Sequence, residues 1–404
     1  LKAISNKNWE MTKVFVENGA NINGQSKHYG NALQAAAVWG NLDITKFLVK
    51  NNAEVNAQGG MYGNALQAAA FNGNLDIVKF LVENSAEVNA QGGEYGNVLQ
   101  AAAFRGKLDI VKFLVENNAN VNAQGGRHGN ALQAAAFNGN LDIIKFLVEN
   151  NANVNAQGGE YGNTLQAAAV WGNLDMTKFL VKNNAEVNAQ GGKYGNALQA
   201  AAHSENLDIV KFLVENNANV NAQGGRYGNA LQAATVWGNL DIFKFLVKNN
   251  AEVNAQGGKY GNALQAAAFN GNLDIVKFLV ENSAAVNVQG GEYGNVLQAA
   301  AFRGKLDIVK FLVENNANVN AQGGKYGNAL QAAVHSENLD MVKFLVENNT
   351  NVNAQGGRYG NALQAAAHLG QLDISQYLVE HGADVMAQGL YGTALQAGKE
   401  RGKQ

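Results

Sequence analysis

At 404 residues and 47% hydrophobic content the chain can bury ample apolar area, which excludes a disordered polypeptide despite its 47 glycines. Its 30 basic and 32 acidic residues leave a net charge of −2, so there is no general pull toward nucleic acid or an anionic membrane. Cysteine is absent, which excludes disulfide scaffolds and thiolate metal sites and fits a reducing, cytoplasmic setting.

The chain opens LKAISNKNWE, without the apolar stretch of a signal peptide, and no later run approaches the roughly 18 apolar residues of a membrane span. From Tyr29 a Tyr-Gly-Asn marker returns every 33 residues, with His128 once in the Tyr place and a last copy at Tyr391 one residue early. A fixed period of this length predicts a stacked repeat array, in which each unit leans on its neighbours. Residues 29–390 hold eleven full units, and 391–404 start another. Residues 1–28 read as a partial unit, because Leu1 falls where Gln67 sits and Trp9 where Leu75 sits. That start inside a helix is what a fragment of something larger would show.

The unit Met61–Gly93 predicts two short helices. Asn64 is a favoured N-cap, the Ala65-to-Ala70 run favours helix, and Gly73 supplies a left-handed stop. Asn74 is expected to cap the second helix, with Asp76 in the first turn where the helix dipole favours negative charge. Leu75, Val78 and Val82, with Ile77 and Leu81, give helical spacing, and Ser85 stands at the stop that siblings fill with Asn52, Asn118 or Gly382. Helices this short need the next unit for stability. The glycine-rich stretch before each marker reads as a projecting turn or hairpin.

The order GNALQAAA, G-N-LDIVKFLVEN and A-x-VNA resembles the ankyrin repeat along the whole chain, with Asn64 at the family's Thr place, Ala65 at Pro, Leu66 at Leu and Gln67 at His. Two departures are systematic: proline is absent, and Gln replaces His from Gln34 to Gln396. The resemblance implies an all-α ankyrin-repeat solenoid of stacked helix-turn-helix pairs with projecting hairpin loops. The GNALQAAA and VNAQGG wording is similar to fungal arrays appended to STAND or NACHT-type nucleotide-binding switches.

Three places vary between units. One precedes the marker: Met61, Glu94, Arg127, Glu160, Lys193, Arg226, Lys259, Glu292, Lys325 and Arg358. A second closes the first helix: Trp39, Asn72, Arg105, Asn138, Trp171, Ser204, Trp237, Asn270, Arg303, Ser336 and Leu369. The third, at Thr45, Val78, Ile144, Thr177 and Phe243, is expected to pack between helices. The resemblance places the first two on the concave surface that commonly binds partners, and Trp and Arg are enriched at interface hot spots. The expected function is therefore a non-enzymatic protein-binding module, acting as a monomeric array. A scaffold with neutral surface variation and a docking arm of an enzyme encoded elsewhere are the alternatives. The Tyr column reads first as architecture, by stacking between turns.

No catalytic, metal or cofactor site is expected. The six histidines fall in unrelated registers with no metal-binding spacing, and the GGxYG runs lack the GxxxxGK[ST] order of a phosphate loop. Asp43, Asp76, Asp109 and their equivalents recur in every unit, which suits a dipole role better than catalysis. Ser204 and Ser336 adjoin His203 and His335 in sequence, but neighbours on a helix diverge by about 100°. Glu205 and Glu337 replace the glycine stop, which predicts soft layers at both.

Overall fold

The computed structural model describes residues 2–6 and 8–401. Among the described residues there are 25 helices, and extended structure is confined to isolated bridges. They fall into two compact units, Leu1–Ala197 and Leu198–Gln404, and each is built from consecutive helix pairs.

In the representative repeat the first helix runs Ala65–Asn72 and the second Leu75–Glu83. Asn64 and Gln67 form a reciprocal capping box, satisfying two N–H groups that a helix start leaves unpaired. Gly73 closes the first helix in the left-handed region at φ 82°, and Ser85 does so after the second at φ 64°, both as expected. Leu66, Ala68, Ala69 and Ala70 are buried, as are Ile77, Val78 and Leu81. Each buried Leu, Ile or Val contributes roughly 1.5–3 kcal/mol relative to exposure, which is what holds helices too short to persist alone. Thr45, Val78, Ile144, Thr177 and Phe243 are all buried between helices, as their spacing predicts.

The second-helix cap is a partial correction. Asn41, Asn173, Asn239 and Asn338 accept from the helix N–H three residues on, but Asn74 makes no such bond. Its amide instead donates to the Ala37 carbonyl of the preceding layer at 2.9 Å, and Asn272 serves Thr235 likewise at 2.7 Å. Those carbonyls belong to the last turn of a first helix, where no intrahelical donor exists.

The layers are tied by side chains that reach 23 to 31 residues along the chain. Gln67 Oε1 accepts from Asn64 N–H at 2.7 Å, while its Nε2 lies 3.3, 3.3 and 2.8 Å from the carbonyl oxygens of Ala90, Gly92 and Gly96, in the hairpin that leads into the next repeat. Gln in the His place thus clamps one layer to the following hairpin. Asn56 adds an exposed tie, donating to Ser85 O at 3.0 Å and accepting from Glu87 N–H at 2.8 Å. Gly63 is fixed by this packing: its φ is 97°, and a Cβ there would stand 2.1 Å from Gln67 Oε1.

Candidate interaction surface

The hairpins are minimal, each closed by one antiparallel bridge such as Gly59 to Gly63. Gly60 takes φ 63° at the tip, and a Cβ on it would lie 2.5 Å from Gly30 N, so tips of successive layers meet backbone to backbone. The residue after it donates its N–H to its equivalent one layer back. In the first unit this links Met61 to His28 (3.2 Å), Glu94 to Met61 (3.0 Å), Arg127 to Glu94 (3.1 Å), Glu160 to Arg127 (3.3 Å) and Lys193 to Glu160 (3.0 Å). In the second, Lys259 donates to Arg226, Glu292 to Lys259 and Lys325 to Glu292, at 3.1–3.2 Å.

Their side chains partly answer one another. Glu160 lies 3.5 Å from Arg127 and 3.6 Å from Lys193; Glu292 lies 3.9 Å from Lys259 and 3.7 Å from Lys325. Such exposed pairs are worth about 0–1 kcal/mol, so they set charge order more than stability.

Behind the tips runs an aromatic file. Tyr62, Phe71, Tyr95, Phe104, His128 and Phe137 follow one another with centroids 4.5–5.3 Å apart. Tyr293 and Phe302 repeat the pattern in the second unit at 5.2 Å. The Tyr column is therefore architecture in both units. Burial raises the Tyr62, Tyr95, Tyr161, Tyr260 and Tyr326 hydroxyls, and pushes Tyr293 up to about 12. Burial lowers His128 to about 4, with the Arg127 charge adding to it and Glu160 opposing.

The residues closing the first helix sit at the edge of this file, and each finds an intramolecular contact where its geometry allows. Asn72 and Asn270 donate to the carbonyls of Ala68 and Ala266 at 3.0 and 2.8 Å. Arg105 Nε donates to Phe71 O at 3.2 Å with its guanidinium 4.7 Å from the Phe71 ring centre, and Arg303 repeats this on Phe269. Asn138 reaches Phe104 O at 2.6 Å, and Ser336 Oγ donates to Ala333 O at 2.8 Å. Trp39, Trp171 and Trp237 are 39%, 51% and 58% exposed, although Trp171 meets Phe137 edge-on at 4.7 Å and Trp237 Nε1 donates to His203 Nδ1 at 3.0 Å. Ser204 and Leu369 are half-buried. None of the variable tip or helix-end residues is buried. The neighbour-directed bonds of Arg105, Asn138 and Arg303 had no local signal, because the accepting carbonyl lies 34 residues earlier.

Among the described residues no cluster of His, Asp and Glu could hold a metal, and no helix is long and apolar enough to cross a membrane. A groove of about 520 Å³ lined by Trp9, Asn41, Asp43, Lys46, Phe47 and Lys50 contains none of the candidate residues.

Paired short helices, glycine-tipped hairpins and layer-to-layer ties define an all-α repeat protein. A family model for ankyrin repeats (3 copies) matches residues 1–92, 59–125, 98–191, 164–257, 257–323 and 297–389, and the chain belongs to the ankyrin-repeat family. A search of curated proteins returns no match to it. Ankyrin repeats are generally protein–protein interaction modules, and their fold is typically non-catalytic.

Proposed function

We propose that the chain is a non-enzymatic module that binds a protein partner through its hairpin tips and first-helix ends. Its modules are the eleven units of residues 29–390, flanked by the partial units 1–28 and 391–404. The observation that carries the reading is the exposure of Trp39, Trp171 and Trp237 beside aromatic files whose other rings are buried or half-buried. A large apolar ring left in water is a ready anchor, and burying one at an interface is worth several kcal/mol. The finer reading is a cytoplasmic, monomeric recognition region of a fungal-type sensor, supported by the GNALQAAA and VNAQGG wording. A nucleotide-binding P-loop segment elsewhere in the full gene product would favour that narrower role.

The test is a pull-down with the chain and with a Trp39→Ala, Trp171→Ala, Trp237→Ala variant. The triple variant is expected to lose a captured partner while its urea unfolding shows an intact array. Undiminished capture would favour a scaffold with neutral surface variation.

A further inference from the structure

The tips of the second unit differ in kind from those of the first. Met61, Glu94, Arg127, Glu160 and Lys193 balance to zero, whereas Arg226, Lys259, Glu292, Lys325 and Arg358 carry four cations and one carboxylate, a net of +3 in a chain whose total is −2. Glu292 is shared between Lys259 and Lys325. Among the described residues neither Arg226 nor Arg358 has an ion-pair partner. All four cations fold back the same way, each lying 5.6–5.8 Å from the ring centre of the Tyr that follows it. Lys259 and Lys325 also pair with Glu292, so the charges form a file along the tips. The field is felt nearby: burial lowers the His335 pKa first, and Lys325 and Arg358 lower it further.

The file also has a pitch. Lys259 N–H meets Arg226 O, Glu292 N–H meets Lys259 O and Lys325 N–H meets Glu292 O at 3.1–3.2 Å, so successive tip residues stand no more than about 7 Å apart. Alternate side chains on an extended strand are about 6.6–6.8 Å apart on one face. We propose that the tip row of the second unit, from Arg226 to Arg358, docks an extended acidic peptide segment of a protein partner. Its Glu or Asp residues occupy alternate positions, and an uncharged or basic residue faces Glu292. A single-stranded nucleic acid fits less well, because Tyr227, Tyr293, Tyr326 and Tyr359 are buried and Tyr260 is half-buried, which leaves no run of open faces for successive bases to stack on. Glu292 would also oppose a phosphate at the centre of the row. This inference rests on the interaction-module reading and names its partner chemistry.

The experiment uses fluorescence anisotropy with the whole chain and a labelled peptide carrying Glu at alternate positions and Ser elsewhere, the central alternate position included. Binding at low ionic strength is expected, weakening as salt rises. An Arg226→Glu, Arg358→Glu variant is expected to lose about tenfold or more in affinity. Lys248→Glu with Lys277→Glu, an equal charge change on second helices, should leave it unaltered, and Glu292→Gln should tighten it by freeing two lysines. Circular dichroism confirms that each variant folds. The proposal is overturned by an absence of binding, by equal loss in both charge-reversal variants, or by equal binding of a peptide with the same acids in one block. Tighter binding of single-stranded DNA than of the peptide would also overturn it. If the peptide fails while the Trp-dependent pull-down succeeds, only this inference falls; if the pull-down fails as well, the module reading falls with it.

Discussion

One amide at Gln265 holds a helix start and the next hairpin together. Its Oε1 accepts from Asn262 N–H at 2.8 Å, and its Nε2 lies 3.2, 3.3 and 2.7 Å from the carbonyl oxygens of Val288, Gly290 and Gly294. Gln265→Ala removes the partner of the buried Asn262 N–H and of the Val288 and Gly290 carbonyls, while Gly294 O keeps Gly290 N–H, and is expected to cost roughly 2–4 kcal/mol in urea unfolding. A loss below about 0.5 kcal/mol would mean that the clamp is not needed. His128 is the titrating exception in the aromatic file. Its pKa is lowered from 6.5 to about 4 in the folded chain, by burial and then by Arg127. Unfolding at intermediate pH therefore takes up a proton, so stability is complete above pH 6.5 and declines as pH falls toward 4. His128→Tyr restores the residue its sibling units carry. The melting temperature of the native chain should drop more between pH 7 and pH 5 than that of the variant; parallel pH profiles would refute this.

Helices and hairpins divide the work differently. The helix pair is locally encoded, since Asn64, the alanine run, Gly73 and the Leu–Ile–Val spacing each act within a few residues. The stop of the first helix is where local encoding breaks. Glu205 and Glu337 are held at φ 58° and 56°, a region that costs a side-chain-bearing residue about 1–2 kcal/mol. The helix-closing bond after Glu337, from Asn338 N–H to Ala333 O, stretches to 3.5 Å, against 2.9 Å from Asn74 N–H to Ala69 O. Glu337→Gly is expected to stabilise its layer by about 1 kcal/mol. Amide exchange in the native chain should be fastest, among internal layers, around these two stops. Uniform protection through residues 190–345 would contradict that.

For the chain as a whole, the period made the fold legible, because every repeat supplies an independent copy of the same helix signals. The candidate surface was legible only in outline. Its residues stand exposed or half-buried at the two varying places, but their partners were hidden: Arg105 answers Phe71, and Glu160 answers both Arg127 and Lys193. Such bonds join residues about one period apart, and no window of local sequence contains both ends. The inward turn of Asn74 escaped notice for the same reason. The constant offsets of these ties carry a consequence for how such a gene can change. Gln67 reaches partners 23, 25 and 29 residues ahead, and Gln298 uses the same three offsets. Deleting or duplicating a whole unit therefore returns every amide to an acceptor of the same kind, wherever in the period the cut falls. Recombination in phase is structurally silent, and length becomes a quantity that selection can adjust without redesigning a core. The short copy marks the tolerance of that grammar: Gln364 reaches Gly392 at an offset of 28, still at 2.8 Å, after the loss of one hairpin residue.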